Sequence, residues 1–81
     1  MNQSEVLTKL QAVFDHVFLE PVIVTSTLSA KDVPEWDSLI QISLVVSVEK
    51  EFAIRFRVGE VEQTRNVGEL ADLICKRMQE R

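Results

Sequence analysis

The sequence predicts an all-α fold, and three stretches carry that prediction. Two of them repeat apolar residues at spacings of three and four behind a capping-box pair. The third, 38–52, is a long apolar segment without Gly or Pro. At 81 residues the chain is expected to form one domain, 1–81, that hides roughly 60% of its unfolded surface. A core of that size leaves little room for a deep catalytic pocket. It suits a module that presents something to larger partners.

Asn2 and Glu5 have the spacing of a capping box, and Val6, Leu7, Leu10, Val13, Phe14, Val17 and Phe18 follow at helical intervals. A first helix over roughly 3–19 is expected, ending before Pro21. His16 falls beside the apolar stripe and reads as a surface or boundary residue. Residues 20–36 hold both prolines and many of the Ser and Thr. Val22, Ile23 and Val24 have strand character, but no partner strand follows closely. A long loop is expected here, pinned to the core by some of Val22, Ile23, Leu28 and Val33. Loops of this length are uncommon in compact domains and are often functional.

Residues 38–52 admit two readings. Ile40, Ile42, Leu44, Val46 and Val48 alternate with Gln41, Ser43, Val45, Ser47 and Glu49, which is a strand pattern that Ile54–Val58 continues. A hairpin would have to turn around 49–52, where Gly, Asn, Asp and Pro are all absent. Read as a helix, the segment places Leu39, Ile42, Val45, Val46, Val48 and Phe52 on one wide face. Ser38 and Gln41 then have capping-box spacing, with Asp37 as a second candidate cap. The segment is also longer than most strands.

The end of the chain is plainer. Asn66 and Glu69 repeat the capping-box spacing ahead of Val67, Leu70, Leu73, Ile74 and Met78, so a helix of about 67–79 is expected. Ile54 and Phe56 should turn inward, and 59–64 should make one or two short helical turns. Cys75 reads as an unreactive, partly buried thiol, since no base is paired with it in the sequence.

Composition removes several function classes. A net charge of −4 disfavours nucleic acid, which requires clustered Lys and Arg. One Cys and one His supply neither a disulfide nor a metal-ligand spacing. No signal-peptide pattern and no apolar run long enough to span a membrane is visible, so a cytoplasmic setting is expected; the chain is also expected to be a monomer. A serine hydrolase is disfavoured too, since His16 stands alone and no Gly-x-Ser-x-Gly elbow surrounds Ser38.

The hydroxyl of Ser38 stands where the polar loop meets the apolar segment. If that segment is a helix, Ser38 lies in its first turn, beside unpartnered N–H groups and the positive end of the helix dipole, a setting that favours phosphate. Ser38 is then either an attachment point for a phosphate-linked arm or simply a cap.

Asp37-Ser38-Leu39, preceded by Trp36, lies midway along an acidic chain of about this length. Glu49 and Glu51 come before Phe52, Ile54-Arg55-Phe56 follows, and Val67-Gly68-Glu69-Leu70 opens the last helix. The tripeptide alone is weak, but in this setting the chain resembles the acyl carrier proteins over nearly its whole length. The resemblance implies a four-helix bundle with a short third helix and a long loop between helices one and two, and therefore a helical 38–52. It also implies that a phosphopantetheinyl transferase moves 4′-phosphopantetheine from coenzyme A onto Ser38, with Asp37 helping to position coenzyme A and metal in that complex. The thiol of the arm would then carry acyl groups as thioesters between an acyl-loading ligase or transferase and ketosynthase or other acyl-processing enzymes. The carrier itself would catalyse nothing.

Carriers of ordinary fatty acid synthesis have a strongly acidic second helix. Here Ile40 and Ser43 stand at positions that are often acidic, and Lys50 interrupts Glu49 and Glu51. A specialised fatty acid or polyketide-type carrier is therefore expected, with Trp36, Asp37, Leu39, Ile40, Ser43 and Glu49 as candidate partner-recognition residues. Trp36 has a packing role as its competing explanation, with the indole N–H bonded to water or a backbone carbonyl, and Ile40 has packing against the loop or first helix. The alternatives are a peptidyl or aminoacyl carrier, and a small helical interaction domain in which Ser38 is only a cap.

Overall fold

The computed structural model describes residues 2–80. Three α-helices, α1 (Gln3–Val17), α2 (Ser38–Phe52) and α3 (Val67–Glu80), are joined by segments containing single-turn 3-10 helices at Ala30–Asp32 and Val61–Gln63. No strand occurs among the described residues. The fold is all-α as expected. The short third helix of the expected bundle is reduced to the one turn at Val61–Gln63.

α1 opens with the predicted box: Asn2 Oδ1 accepts Glu5 N–H at 2.9 Å, and Glu5 Oε1 accepts Asn2 N–H at 3.1 Å. It ends at Val17, short of the expected 19, because the next backbone donors have other acceptors. Phe18 is extended, and both carboxylate oxygens of Glu35 accept the N–H groups of Leu19 and Glu20 at 2.9 and 3.1 Å. Val6, Leu10, Val13, Phe14 and Phe18 are buried, and α1 packs against both other helices. His16 is exposed in the last turn of α1, and Cys75 is half-buried.

The ambiguous segment is helical, but its inward side differs from the expected one. Leu44, Val48 and Phe52 are buried, with Ile40, Gln41 and Val45 half-buried beside them. Leu39, Ile42 and Val46 were expected to point inward, yet they are 75%, 62% and 45% exposed. A helix that is apolar nearly all round has no phase of its own. Packing on α1 selects one side and leaves the other uncovered. Beyond Phe52 the chain turns through Ala53, in the left-handed region (φ 54°, ψ 48°), and Ile54 N–H returns to Glu49 O at 3.1 Å. Ile54 is thereby buried and Phe56 half-buried, as expected.

The long loop is held mostly by polar bonds. Gln11 donates to Val22 O at 2.7 Å and accepts Val24 N–H at 2.9 Å. Leu28 O and Ser26 O accept the N–H groups of Val67 and Gly68, each at 2.8 Å, so the loop caps the start of α3. Val22 is buried, and Leu28 and Val33 are half-buried, whereas Ile23 points to solvent. At α3 the predicted box forms by half. Asn66 Oδ1 accepts Glu69 N–H at 2.9 Å, but the Glu69 carboxylate turns to Arg65 N–H at 2.8 Å.

Arg77, near the end of α3, is 7% exposed. Its Nε donates to Glu60 Oε1 at 3.1 Å, and its terminal nitrogens pair with Glu60 and Glu80. Burial of a cation is costly unless it is paired in this way. Hydrogen bonding from Arg77, reinforced by Arg57 N–H, lowers the Glu60 carboxyl from an ordinary 4.5 to about 2. The same bond raises the Arg77 pKa.

Candidate functional site

The loop delivers Asp37 to α2 in an extended conformation, and Asp37 is the cap. Its Oδ1 accepts Ile40 N–H at 2.9 Å, and its carbonyl accepts Gln41 N–H at 2.9 Å. Ser38 is the first helical residue. It is exposed, and its hydroxyl makes no hydrogen bond among the described residues. The Ser38–Gln41 box does not form, because Gln41 Oε1 instead accepts the Trp36 indole N–H at 2.7 Å.

Trp36 anchors this junction from behind. It is half-buried, with its ring edge-on to Phe14 and Phe18 at centroid distances of 5.4 and 5.6 Å. Phe14 and Phe18 stack on each other at 5.1 Å. Such pairs each contribute about 0.5–1.5 kcal/mol beyond area burial. The indole thus bonds to a side chain of α2 rather than to water or a backbone carbonyl. The residue before the cap and the first turn of the helix become one rigid unit, with Ser38 on its outer side.

The candidate recognition residues divide into two groups. Asp37, Leu39 and Ser43 are exposed near Ser38. Ile40 is half-buried against the core, Trp36 is committed to the aromatic cluster, and Glu49 accepts Phe56 N–H at 2.9 Å. Ile42 and Val46 share the exposed side with Leu39 and were missed in the sequence. Counting back from Phe52 in steps of four, through Val48 and Leu44, marks the buried side and leaves Ile42 and Val46 off it.

The site presents the Ser38 hydroxyl at the start of α2. Among the described residues no group of three or more His, Cys, Asp or Glu side chains could hold a metal, and no helix is long and apolar enough to cross a membrane. Ser38 fits covalent attachment of a group, since its oxygen is exposed and already outside the helix's own hydrogen bonding.

Fold and site together define a small helical presenting module. No family model matches the chain. It is 32% identical over 75 residues to an acyl carrier protein of Thermosynechococcus vestitus, covering 91% of this chain and 93% of that protein. The solution NMR structure of a holo acyl carrier protein from Geobacter metallireducens superposes with a TM-score of 0.75 at 35% identity, over 96% of this chain and 86% of that one. The chain belongs to the acyl carrier protein family. It is accordingly a carrier and not an enzyme, and the family implies a phosphopantetheine prosthetic group.

Proposed function

We propose that this chain carries acyl intermediates on a 4′-phosphopantetheine attached to Ser38 Oγ, and that it serves a specialised fatty acid or polyketide-type pathway in the cytoplasm. The observation that carries the reading is the division of labour at the start of α2: Asp37 caps the helix, and the Ser38 hydroxyl is left exposed and uncommitted. When bound, the group supplies a thiol on a long flexible arm that holds acyl groups as thioesters.

The chain's own residues do the presenting. Ser38 supplies the oxygen that a phosphopantetheinyl transferase modifies. Asp37 holds the helix start and keeps a carboxylate beside that oxygen, available to the coenzyme A and metal of the transferase. Trp36 and Gln41 fix the approach of the loop. Leu39 and Ser43 offer contact surface to the loading enzyme and to ketosynthase or other acyl-processing enzymes. The specialised pathway is supported by α2 itself, which has no charged residue from Ser38 through Val48.

Incubation with coenzyme A and a broad-specificity transferase should add one phosphopantetheine to the intact mass. Ser38→Ala should abolish the gain while changing unfolding free energy by less than about 0.5 kcal/mol. A gain that survives in Ser38→Ala rules out the assignment. A loss of stability on the scale of a lost cap would return Ser38 to a structural role.

A further inference from the structure

We propose that Glu35 is a positioning residue for the modification of Ser38: its carboxylate closes the base of the long loop and so fixes the course of the chain into α2. This rests on the carrier reading for what is attached at Ser38, and on the geometry of the loop for how the serine is held.

The Glu35 carboxylate takes up two successive backbone donors. Its Oε2 accepts Leu19 N–H at 2.9 Å, and its Oε1 accepts Glu20 N–H at 3.1 Å. Both donors lie just past the end of α1, and Leu19 is 94% exposed, so its side chain adds no burial to hold that segment. Two converging N–H groups require two acceptor oxygens on one side chain. A carboxylate supplies them, whereas an amide supplies one oxygen and turns an NH₂ toward the other donor. Hydrogen bonds to an ionised acceptor are also roughly twice as strong as neutral ones. Glu35 is half-buried and makes no ion pair among the described residues.

The neighbours of these groups add a second link. Phe18, just before the two donors, packs its ring on that of Trp36, just after Glu35, at a centroid distance of 5.6 Å. Residues 18–20 and 35–36 are thus joined once through rings and once through a carboxylate. A ring contact alone leaves the chain free to pivot, and the second point removes that rotation. From Trp36 the constraint passes into α2. The indole N–H donates to Gln41 Oε1 at 2.7 Å, and Asp37 accepts Ile40 N–H at 2.9 Å. Ser38 lies between the residues these bonds connect.

The rest of the loop has other anchors. Gln11 holds Val22 and Val24, while Ser26 and Leu28 hold the start of α3. Loss of the Glu35 bonds should therefore loosen the entry to α2 and leave the bundle folded. Such loosening matters because a displacement of ~1 Å at a reacting group can cost about a hundredfold in rate.

The test compares the full-length wild type, Glu35→Gln and Glu35→Ala by backbone amide order parameters and by phosphopantetheinyl transferase kinetics with coenzyme A. Order parameters at Asp37 and Ser38 should be about 0.85 in the wild type and fall toward about 0.6 in Glu35→Ala. Those inside α1 and α3, and the urea midpoint, should not change. The transferase kcat/KM should fall about tenfold in Glu35→Ala. Glu35→Gln keeps one acceptor oxygen and should recover part of that loss, with the same ratios at low and high salt. Unchanged order at Asp37 and Ser38, or equal kcat/KM for all three proteins, overturns the proposal. So does order lost throughout the bundle, which makes Glu35 a general support of the fold. Glu35→Gln no better than Glu35→Ala, with a defect that changes with salt, overturns it in favour of a direct charge contact with the transferase. A wild type that is never modified removes the carrier reading instead, and the order parameters then decide alone whether Glu35 positions Ser38.

Discussion

The Asp37 carboxylate accepts the backbone N–H of Ile40 at 2.9 Å, across the residue whose hydroxyl is presented. Asp37→Ala should therefore cost about 0.5–2 kcal/mol in urea unfolding, the usual loss for an N-cap. Asn caps helices as well as Asp, so Asp37→Asn should leave stability nearly unchanged and lower kcat/KM of the phosphopantetheinyl transferase. Equal transferase rates for wild type and Asp37→Asn would confine Asp37 to capping.

Ala53 is the only non-glycine residue with positive φ among those described, at 54°. A Cβ in that conformation costs roughly 1–2 kcal/mol, part of which Gly gives back through the greater entropy of its unfolded chain. Ala53→Gly should raise stability by about 0.5–1 kcal/mol, read as a higher denaturation midpoint with an unchanged slope.

Gly68 shows the opposite constraint. A Cβ there would lie 2.7 Å from Ser26 O, the carbonyl that accepts Gly68 N–H. Gly68→Ala should destabilise by about 1–3 kcal/mol through overpacking against backbone. Amide exchange should quicken first at Val67 and position 68, the two donors held by the loop.

The Glu60–Arg77 pair gives a pH dependence of defined sign. The Glu60 carboxyl is held at about 2, below an ordinary 4.5, so the pair contributes fully above that ordinary value and is lost as pH falls through the folded one. Thermal melts of wild type and Glu60→Gln should differ by a constant amount above about pH 5.5 and converge toward pH 2. A difference that grows on acidification would contradict the pairing.

Much of this architecture could be read in the chain, and the exceptions share a physical cause. Helices α1 and α3 are written locally, by Asn2 and Asn66 ahead of well-defined apolar stripes. The phase of α2 is not, because Leu39, Ile42 and Val46 are as apolar as Leu44, Val48 and Phe52, and only packing on α1 separates them. Adjacent Asp37 and Ser38 are both good caps. Asp37 takes the role, while the Gln41 side chain that Ser38 would need for a box is bonded to Trp36. Nothing local announces Arg77 with Glu60, a pair 17 residues apart, or the left-handed turn at Ala53, where no glycine marks it.

The central claim is that Ser38 is presented for modification rather than used to hold α2. Fragment-ion mass spectrometry of the chain after treatment with coenzyme A and transferase tests it most directly. A single phosphopantetheine on the peptide spanning 37–39, localised to Ser38, is the predicted result. Modification at another residue, or none after treatment with several transferases that are active on other carriers, would contradict it.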